Sequence, residues 1–375
     1  MEEQQSPIIF DIGSQTTKAG ISGEDSPRIT MPTIIGKIRR EIVMPGMGQK
    51  EMYIGEEIET LQGDLTLSHP VQRGIVTNWE EVEKLLYHLY YNELRVAPEE
   101  QPTLLTEATR NPKKNSSKMI ELMLETFSVP QTQLVNPGVL VLYGSGKLTG
   151  LVVESGDGVT QIVPIHEGLL TSSAIQRYQF GGNDITSKFV ELLTESGIYF
   201  SSSTELEIAR EMKEKMCIVN EDRQNDSQNR QKSGSEMKYT LPDGNEITLE
   251  SERWRSTEVL FDPSLVGYEL PGLHEMINLS IMKCDSSLKK LFWKNIILSG
   301  GNTLFSGIDN RLKNELNGIV KKNTEIDVYC VKERRYLSWI GGSVLASLST
   351  FKDQWITKEE YHEFGIDIKL KKCYF

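Results

Sequence analysis

Apolar and polar positions along the chain fall into a few recurring patterns. Leu151, Val152 and Val153 form an apolar run, Glu154-Ser155-Gly156-Asp157-Gly158 interrupts it, and Val159, Gln161 and Val163 then alternate with polar neighbours. That pattern predicts a strand, a tight turn with glycines at its tip, and a returning strand. The same order occurs near the N-terminus, where Ile8-Ile9-Phe10 runs into Asp11-Ile12-Gly13-Ser14-Gln15-Thr16-Thr17-Lys18. A third apolar run, Ile296-Ile297-Leu298, enters a Gly-Gly turn at Ser299-Gly300-Gly301-Asn302-Thr303-Leu304-Phe305.

Helical spacing appears between these strands. Asn78–Tyr91 places Val82, Leu85, Leu86 and Leu89 on one face with Asn78 as N-cap, and Lys118–Thr126 does the same through Met119, Leu122 and Met123. Asn136 followed by Pro137 reads as a helix start, because proline's missing N–H costs nothing in the first turn. Leu206–Val219 is amphipathic with Ile208, Met212 and Met216 inward, and Ser338–Phe351 is a helix of small and apolar residues. Tyr239–Leu249 predicts a hairpin about Asp243-Gly244. Two stretches read as exposed loops: Gly36–Lys50, whose Pro45, Gly46 and Gly48 oppose a core strand, and the polar Asn220–Glu236. Pro- and Gly-bounded Phe261–Gly272 holds Leu265, Val266 and Tyr268.

Composition narrows the class. At 375 residues the chain exceeds what one core serves, so two domains are expected. Its hydrophobic fraction of 38% and charged fraction of 25% are those of a globular protein. No apolar stretch reaches the ~20 residues of a membrane span. The opening Met-Glu-Glu-Gln-Gln lacks the basic and apolar regions of a signal peptide. Cys217, Cys284, Cys330 and Cys373 show no ligand spacing and read as reduced thiols of a cytosolic or nuclear protein. A net charge of −12 argues against a nucleic-acid surface and suits partners with basic patches.

The candidate chemistry lies in the three glycine loops. Glycine allows left-handed backbone and close approach of another group, so successive N–H groups can be aimed at a phosphate. Two such hairpins, each opening half of the chain, imply a duplicated architecture clasping a polyphosphate. Lys18 would reach the charge, and Asp11, Glu154 and Asp157 would hold a divalent cation directly or through water. The Gly300-Gly301 turn offers bare backbone to a purine or ribose.

These three loops, in order and spacing, resemble the two phosphate segments and the adenosine segment of actin, within the group that includes sugar kinases and the Hsp70 ATPase domain. Further strings carry the likeness: Gly74-Ile75-Val76-Thr77-Asn78-Trp79, Tyr91 to Glu100, Leu104 to Ala108, Ser280 to Asp285, Trp339-Ile340-Gly341-Gly342-Ser343 and Lys372-Cys373. The resemblance implies an α/β fold of two related ATPase lobes around a nucleotide cleft, each a mixed β-sheet flanked by helices. Residues 1–136 with 336–375 would form a small outer lobe carrying an inserted partner loop at about 36–70. Residues 137–335 would form a large inner lobe with a helical insertion at about 180–270. It implies ATP or ADP with Mg²⁺ or Ca²⁺, the metal held through water by Asp11 and Glu154. Nucleotide contacts would come from Gly13, Ser14, Gln15, Lys18, Ser155, Gly156, Asp157, Gly158, Val159, Gly182, Arg210, Lys213, Glu214, Gly300, Gly301, Asn302, Leu304, Phe305 and Arg335. Partner contacts would come from Val43, Met44 and Met47, and from a cleft formed by Tyr143, Leu148, Leu169, Leu345, Leu348 and Trp355. The partners implied are further copies or other actin-family subunits, and actin-binding proteins in that cleft, with no direct nucleic-acid or membrane contact. The location implied is the cytoplasm and cytoskeleton, or the nucleus.

The departures matter as much as the matches. Pro137 stands where actins carry the glutamine that places the attacking water, and Gln161 where they carry an assisting histidine. Glu154 replaces an aspartate near the cation, Gln15 a glycine and Ile12 an asparagine in the first loop, and Arg73 a modified histidine. Proline has no polar side chain with which to orient water. Because phosphoryl transfer depends largely on positioning, hydrolysis is expected to be weakened or absent. Three functions compete: a filament subunit, a structural subunit of a larger assembly such as dynactin, a chromatin remodeller or a ciliary complex, and a small-molecule kinase. The unbroken actin strings and the lack of a substrate-binding insertion oppose the kinase.

Overall fold

The structure, a computed structural model, describes residues 6–38, 50, 52–55, 57–58, 65–221, 237–322, 324–365 and 367–372. Ile8, Ile9 and Phe10 are apolar in succession, and strand Ile8–Ile12 is accordingly buried on both faces. It lies inside a six-stranded sheet ordered Ile356–Thr357, Gln131–Val135, Thr103–Thr106, Ile8–Ile12, Thr16–Ile21, Ile29–Pro32. Its neighbour Thr16–Ile21 is antiparallel, and Thr103–Thr106 is parallel.

The second hairpin repeats the arrangement. Gly150–Ser155, with Leu151, Val152 and Val153 buried, joins a sheet with Thr160–His166 on one side and Ile296–Ser299 on the other. Ile296–Ser299 pairs parallel with both Gly150–Ser155 and Val328–Tyr329. In both sheets, then, the first strand of a local hairpin lies beside a parallel strand brought from far along the chain. The result is a mixed α/β architecture whose mixed sheets are flanked by helices. The chain divides into two compact units, one of Met1–Thr149, Ile165–Leu170 and Arg335–Phe375, the other of Gly150–Pro164 and Thr171–Arg334.

In the first unit, helix Trp79–Tyr87 is capped by Asn78, which accepts from the Glu81 N–H. It continues as a wider π-type turn, His88–Leu94, so the predicted inward face at Val82, Leu85, Leu86 and Leu89 stays buried. Helix Lys113–Glu121 likewise widens over Leu122–Thr126. Helix Pro137–Gly144 begins as proline and cap dictate, Asn136 Oδ1 accepting from the Gly138 N–H at 2.9 Å. It crosses helix Leu337–Ser347 at unusually close range: a Cβ on Gly341 would lie 1.7 Å from the Leu140 carbonyl oxygen, and one on Gly144 2.7 Å from that of Leu337. Trp339, fully buried, donates its indole N–H to the Ile9 carbonyl at 3.1 Å and ties this helix to the central strand.

In the second unit, helices Gly182–Glu195 and Ser203–Met216 pack with Leu273–Lys283 around a core that includes Phe189, Met212, Ile277 and Leu298. Strands Met237–Thr240 and Glu246–Leu249 pair about Gly244, which holds φ +87° as its turn requires.

Several sequence expectations are revised. Gly36–Ile38 belongs to strand Ile35–Ile38, paired with Leu65–Ser68 and Tyr53–Ile54, because Ile34, Ile58 and Leu65 give it a small core. The rest of the predicted loop that lies at 39–49, with Val43, Met44 and Met47, falls outside the described residues, as does most of Asn220–Glu236. The helix predicted to run from Ser338 to Phe351 ends at Ser347 and gives way to a 3-10 turn. On Ser203–Met216 the inward face is Ala209, Met212 and Met216, while Ile208 is half-buried.

Candidate functional site

The first loop is built on the end of strand Ile8–Ile12. Asp11, paired in the sheet opposite Lys18, has one carboxylate oxygen accepting from Lys18 Nζ at 2.9 Å and the other from the Thr106 hydroxyl at 2.9 Å. Its charge is therefore fixed in place by neighbouring strands. The turn is closed by the Gly13 N–H donating to the Thr16 carbonyl, Ser14 Oγ accepts from the Gly74 N–H at 2.8 Å, and the Gln15 carbonyl accepts from the Thr33 N–H. Arg73, next to that contact, holds a positive φ of 50°. Pro137 is buried in the same unit, where Asn136 spans the Thr109 hydroxyl and the Gly138 N–H.

The second loop is braced from three sides. Gly156 N–H closes on the Val159 carbonyl at 2.9 Å, and Ser155 Oγ meets Thr160 Oγ1 at 2.8 Å. Asn302 donates from Nδ2 to both Ser155 Oγ and the Gly156 carbonyl, at 3.1 and 2.7 Å, locking the Gly300-Gly301 loop to the second hairpin loop. The N-terminus of helix Gly182–Glu195 supplies two more donors, Gly182 N–H to the Gly156 carbonyl and Asn183 N–H to that of Asp157, both at 3.0 Å. Such approach demands glycine: a Cβ on Gly181 would lie 2.4 Å from the Asp157 oxygen. One on Gly300, at φ +89°, would lie 2.3 Å from that of Ser155.

Glu154 and Gln161 face each other across this hairpin, Gln161 Nε2 donating to Glu154 Oε2 at 2.6 Å. The other end of the amide, Oε1, is buried and has no hydrogen-bond partner among the described residues. Lys213 is buried beneath the loop and donates to the Gly182 carbonyl at 3.1 Å and to Thr186 Oγ1 at 3.0 Å. Burial pushes its pKa down, opposed by the charges of Asp157 and Glu214. Arg210 is held by a two-pronged pair with Glu207, and Glu214 is exposed.

The residues fit a phosphorylated ligand with a hard cation. A Cβ at Gly301 would meet no atom within 4 Å, and one at Gly156 only the Val159 oxygen at 3.8 Å, so both leave bare backbone to an incoming group. Asp11, Glu154 and Asp157 offer only oxygen. Among the described residues no three His, Cys, Asp or Glu side chains cluster to hold a metal unaided, so a cation at Asp11 or Glu154 would complete its shell from water and phosphate oxygens.

Of the remaining candidates, Leu304 is exposed and Phe305 buried beside Asn302. Arg335 is half-buried in the first unit, whereas its neighbour Arg334 belongs to the second and clamps the Thr303 carbonyl through Nε and Nη2 at 3.0 and 2.9 Å. Sequence reasoning missed Arg334 and the Thr106 hydroxyl on Asp11. A hydroxyl at the end of a buried strand was the one available signal for Thr106.

The partner residues separate into two sets. Leu148, Leu169 and Leu348 are exposed, and the Gly168 N–H donating to the Leu148 carbonyl brings the first two loops together. Leu345 and Trp355 are only 2% and 5% exposed, because helix Leu337–Ser347 buries that face and Trp355 packs edge-on against Phe351. Tyr143 is half-buried. Cys217 and Cys284 are free and buried, and no described helix is long and apolar enough to cross a membrane.

The duplicated hairpins, the glycine-paved contacts around Asp157 and Ser155, and the close helix crossing at Gly341 all lie within the stretch that the sequence model of the Actin family matches, residues 2–374, and the chain belongs to that family.

Proposed function

We propose that this chain is an actin-like structural protein that binds ATP or ADP with Mg²⁺ or Ca²⁺ and hydrolyses ATP slowly or not at all. Both glycine loops would contribute, with Gly13, Ser14, Gln15 and Lys18 from the first and Ser155 to Val159 from the second. Gly182, Arg210, Lys213, Glu214, Gly300, Gly301, Asn302, Leu304, Phe305 and Arg335 would complete the set. Asp11 and Glu154 would hold the cation through water, and that cation would offset the phosphate charge.

The observation that carries the hydrolytic reading is the Gln161–Glu154 hydrogen bond. Gln161 gives one of its two amide hydrogens to a carboxylate of its own chain, and Pro137, at the other hydrolytic position, has no side-chain donor or acceptor. Pro137 therefore cannot orient a water, and Gln161 has only its second amide hydrogen and Oε1 left with which to meet one. In a single-turnover assay with ATP and Mg²⁺, nucleotide should bind while phosphate release stays far slower than for conventional actin. Release at the conventional rate would overturn the reading.

The chain would serve as a filament subunit in the cytoskeleton. Leu148, Leu169 and Leu348 favour this by presenting exposed apolar side chains from the first unit. Sedimentation with ATP and Mg²⁺ decides between this and a subunit that works singly in a larger assembly: pelleting supports the filament, a persistent monomer the assembly.

A further inference from the structure

Arg334 grips both ends of the Gly300-Gly301 turn. Its backbone carbonyl accepts from the Gly300 N–H and the Ser299 hydroxyl, both at 3.2 Å, where the chain leaves strand Ile296–Ser299. At the other end its guanidinium places Nε and Nη2 on the Thr303 carbonyl, at 3.0 and 2.9 Å, and Nη1 on the Val331 carbonyl at 3.1 Å. The turn between these grips has two sides. Asn302 and Thr303 are buried, and a Cβ on Gly300 would lie 2.3 Å from the Ser155 carbonyl oxygen. Gly301 and Leu304 are exposed, and a Cβ on Gly301 would meet no atom within 4 Å. Asn302 fastens the turn to Ser155 and Gly156 with its own amide, through bonds in which Arg334 has no part. Two separate anchors therefore hold this stretch, one on the second hairpin loop and one at Arg334, all within the second unit.

We infer that Arg334 is a positioning residue for the nucleoside end of the ligand, acting through the open face at Gly301 and Leu304 and not through the phosphates. The inference rests on the nucleotide-binding reading above. A carbonyl on a buried residue that loses its donors has to move or recruit water. Thr303 lies between Gly301 and Leu304 in the same turn, so moving its carbonyl re-aims the exposed face. The Asn302 amide meanwhile keeps its hold on the second hairpin loop. The planar guanidinium sets two N–H groups on one oxygen while a third reaches Val331. A lysine ammonium on its flexible stem replaces that grip only in part.

The test uses the full chain with Arg334→Met, which removes the donors and keeps an unbranched apolar stem, and with Arg334→Lys, which keeps the charge. Calorimetric titration with Mg²⁺ measures affinity for ADP and for inorganic pyrophosphate. Arg334→Met is expected to weaken ADP about tenfold, the equivalent of about one hydrogen bond, and Arg334→Lys about threefold. Pyrophosphate affinity should stay within about twofold of the unaltered chain in both variants. An arginine that only stabilises the fold would lower the urea midpoint and weaken both ligands equally or neither, and either result overturns the inference. If Arg334→Met does not fold, Arg334→Lys carries the same comparison. Unchanged ADP affinity in the variants of a chain that binds ADP removes this inference alone. If the unaltered chain binds neither ligand, the nucleotide reading itself falls, and this inference with it.

Discussion

Gln161 and Glu154, on facing strands of one hairpin, are joined by a 2.6 Å hydrogen bond. The two side chains suit each other. A longer carboxylate reaches across the hairpin, and an amide can meet it as a neutral donor.

Removing that donor should be felt in the fold as well as in the site. Gln161→Leu is expected to destabilise the protein by about 1.5–3 kcal/mol, the range for a hydrogen bond to a charged group. Urea unfolding measures this, and Glu154→Gln in the same background should cost less than it does alone.

Hydrolysis should be recoverable if only the water-aiming groups have been lost. Pro137→Gln combined with Gln161→His is expected to raise single-turnover phosphate release by about tenfold or more, since positioning supplies much of the rate in phosphoryl transfer. An unchanged rate would place the defect elsewhere in the loops.

Cys217 gives a pH signature. Burial pushes its thiol up to about 11 from an ordinary 9.0, with the Ser256 hydroxyl pulling weakly the other way. The folded chain then holds the proton more tightly than the unfolded chain. The stabilisation is complete below pH 9 and is lost as pH rises through 11, by up to about 3 kcal/mol. Cys217→Ala should flatten that part of the stability curve, measured by urea midpoints from pH 8 to 11.

Two glycine substitutions should have opposite signs. Gly341→Ala drives a methyl into the Leu140 carbonyl and is expected to cost at least about 3 kcal/mol. Gly318 lies inside helix Ile308–Ile319, where an added methyl would meet no neighbouring atom within 4 Å, and Gly318→Ala should stabilise by about 0.5–1 kcal/mol. Thermal denaturation of the two variants separates them.

The surface reading is tested by Leu148→Asp with Leu169→Asp. Both side chains are more than half exposed, so the fold should persist while pelleting with ATP and Mg²⁺ falls severalfold.

Much of this was legible in the sequence, for local reasons. A continuous apolar run ending in acid and glycine gave Ile8–Ile12 and Gly150–Ser155, and Asn136-Pro137 gave a helix start to the residue. What escaped depends on partners that only the folded chain brings near. Thr106 reaches Asp11 from 95 positions away and Asn302 reaches Ser155 from 147. Leu345 and Trp355 are apolar whether they face solvent or core, so their composition did not distinguish a docking surface from the packing beneath it. The π-type turns at His88–Leu94 and Leu122–Thr126 keep the helical face, and periodicity does not reveal the wider backbone.

The helix that starts at Pro137 is capped at its first turn and fastened along its body, but its first residue carries no N–H. Further along, Gly144 and the crossing Gly341 tolerate no added atom, while position 137 has no backbone N–H that the helix must satisfy. Mutation can therefore erase chemistry at the first residue of this rod while the crossing a few residues on keeps its shape. What stands at the start of the rod is thus decoupled from the architecture that holds it.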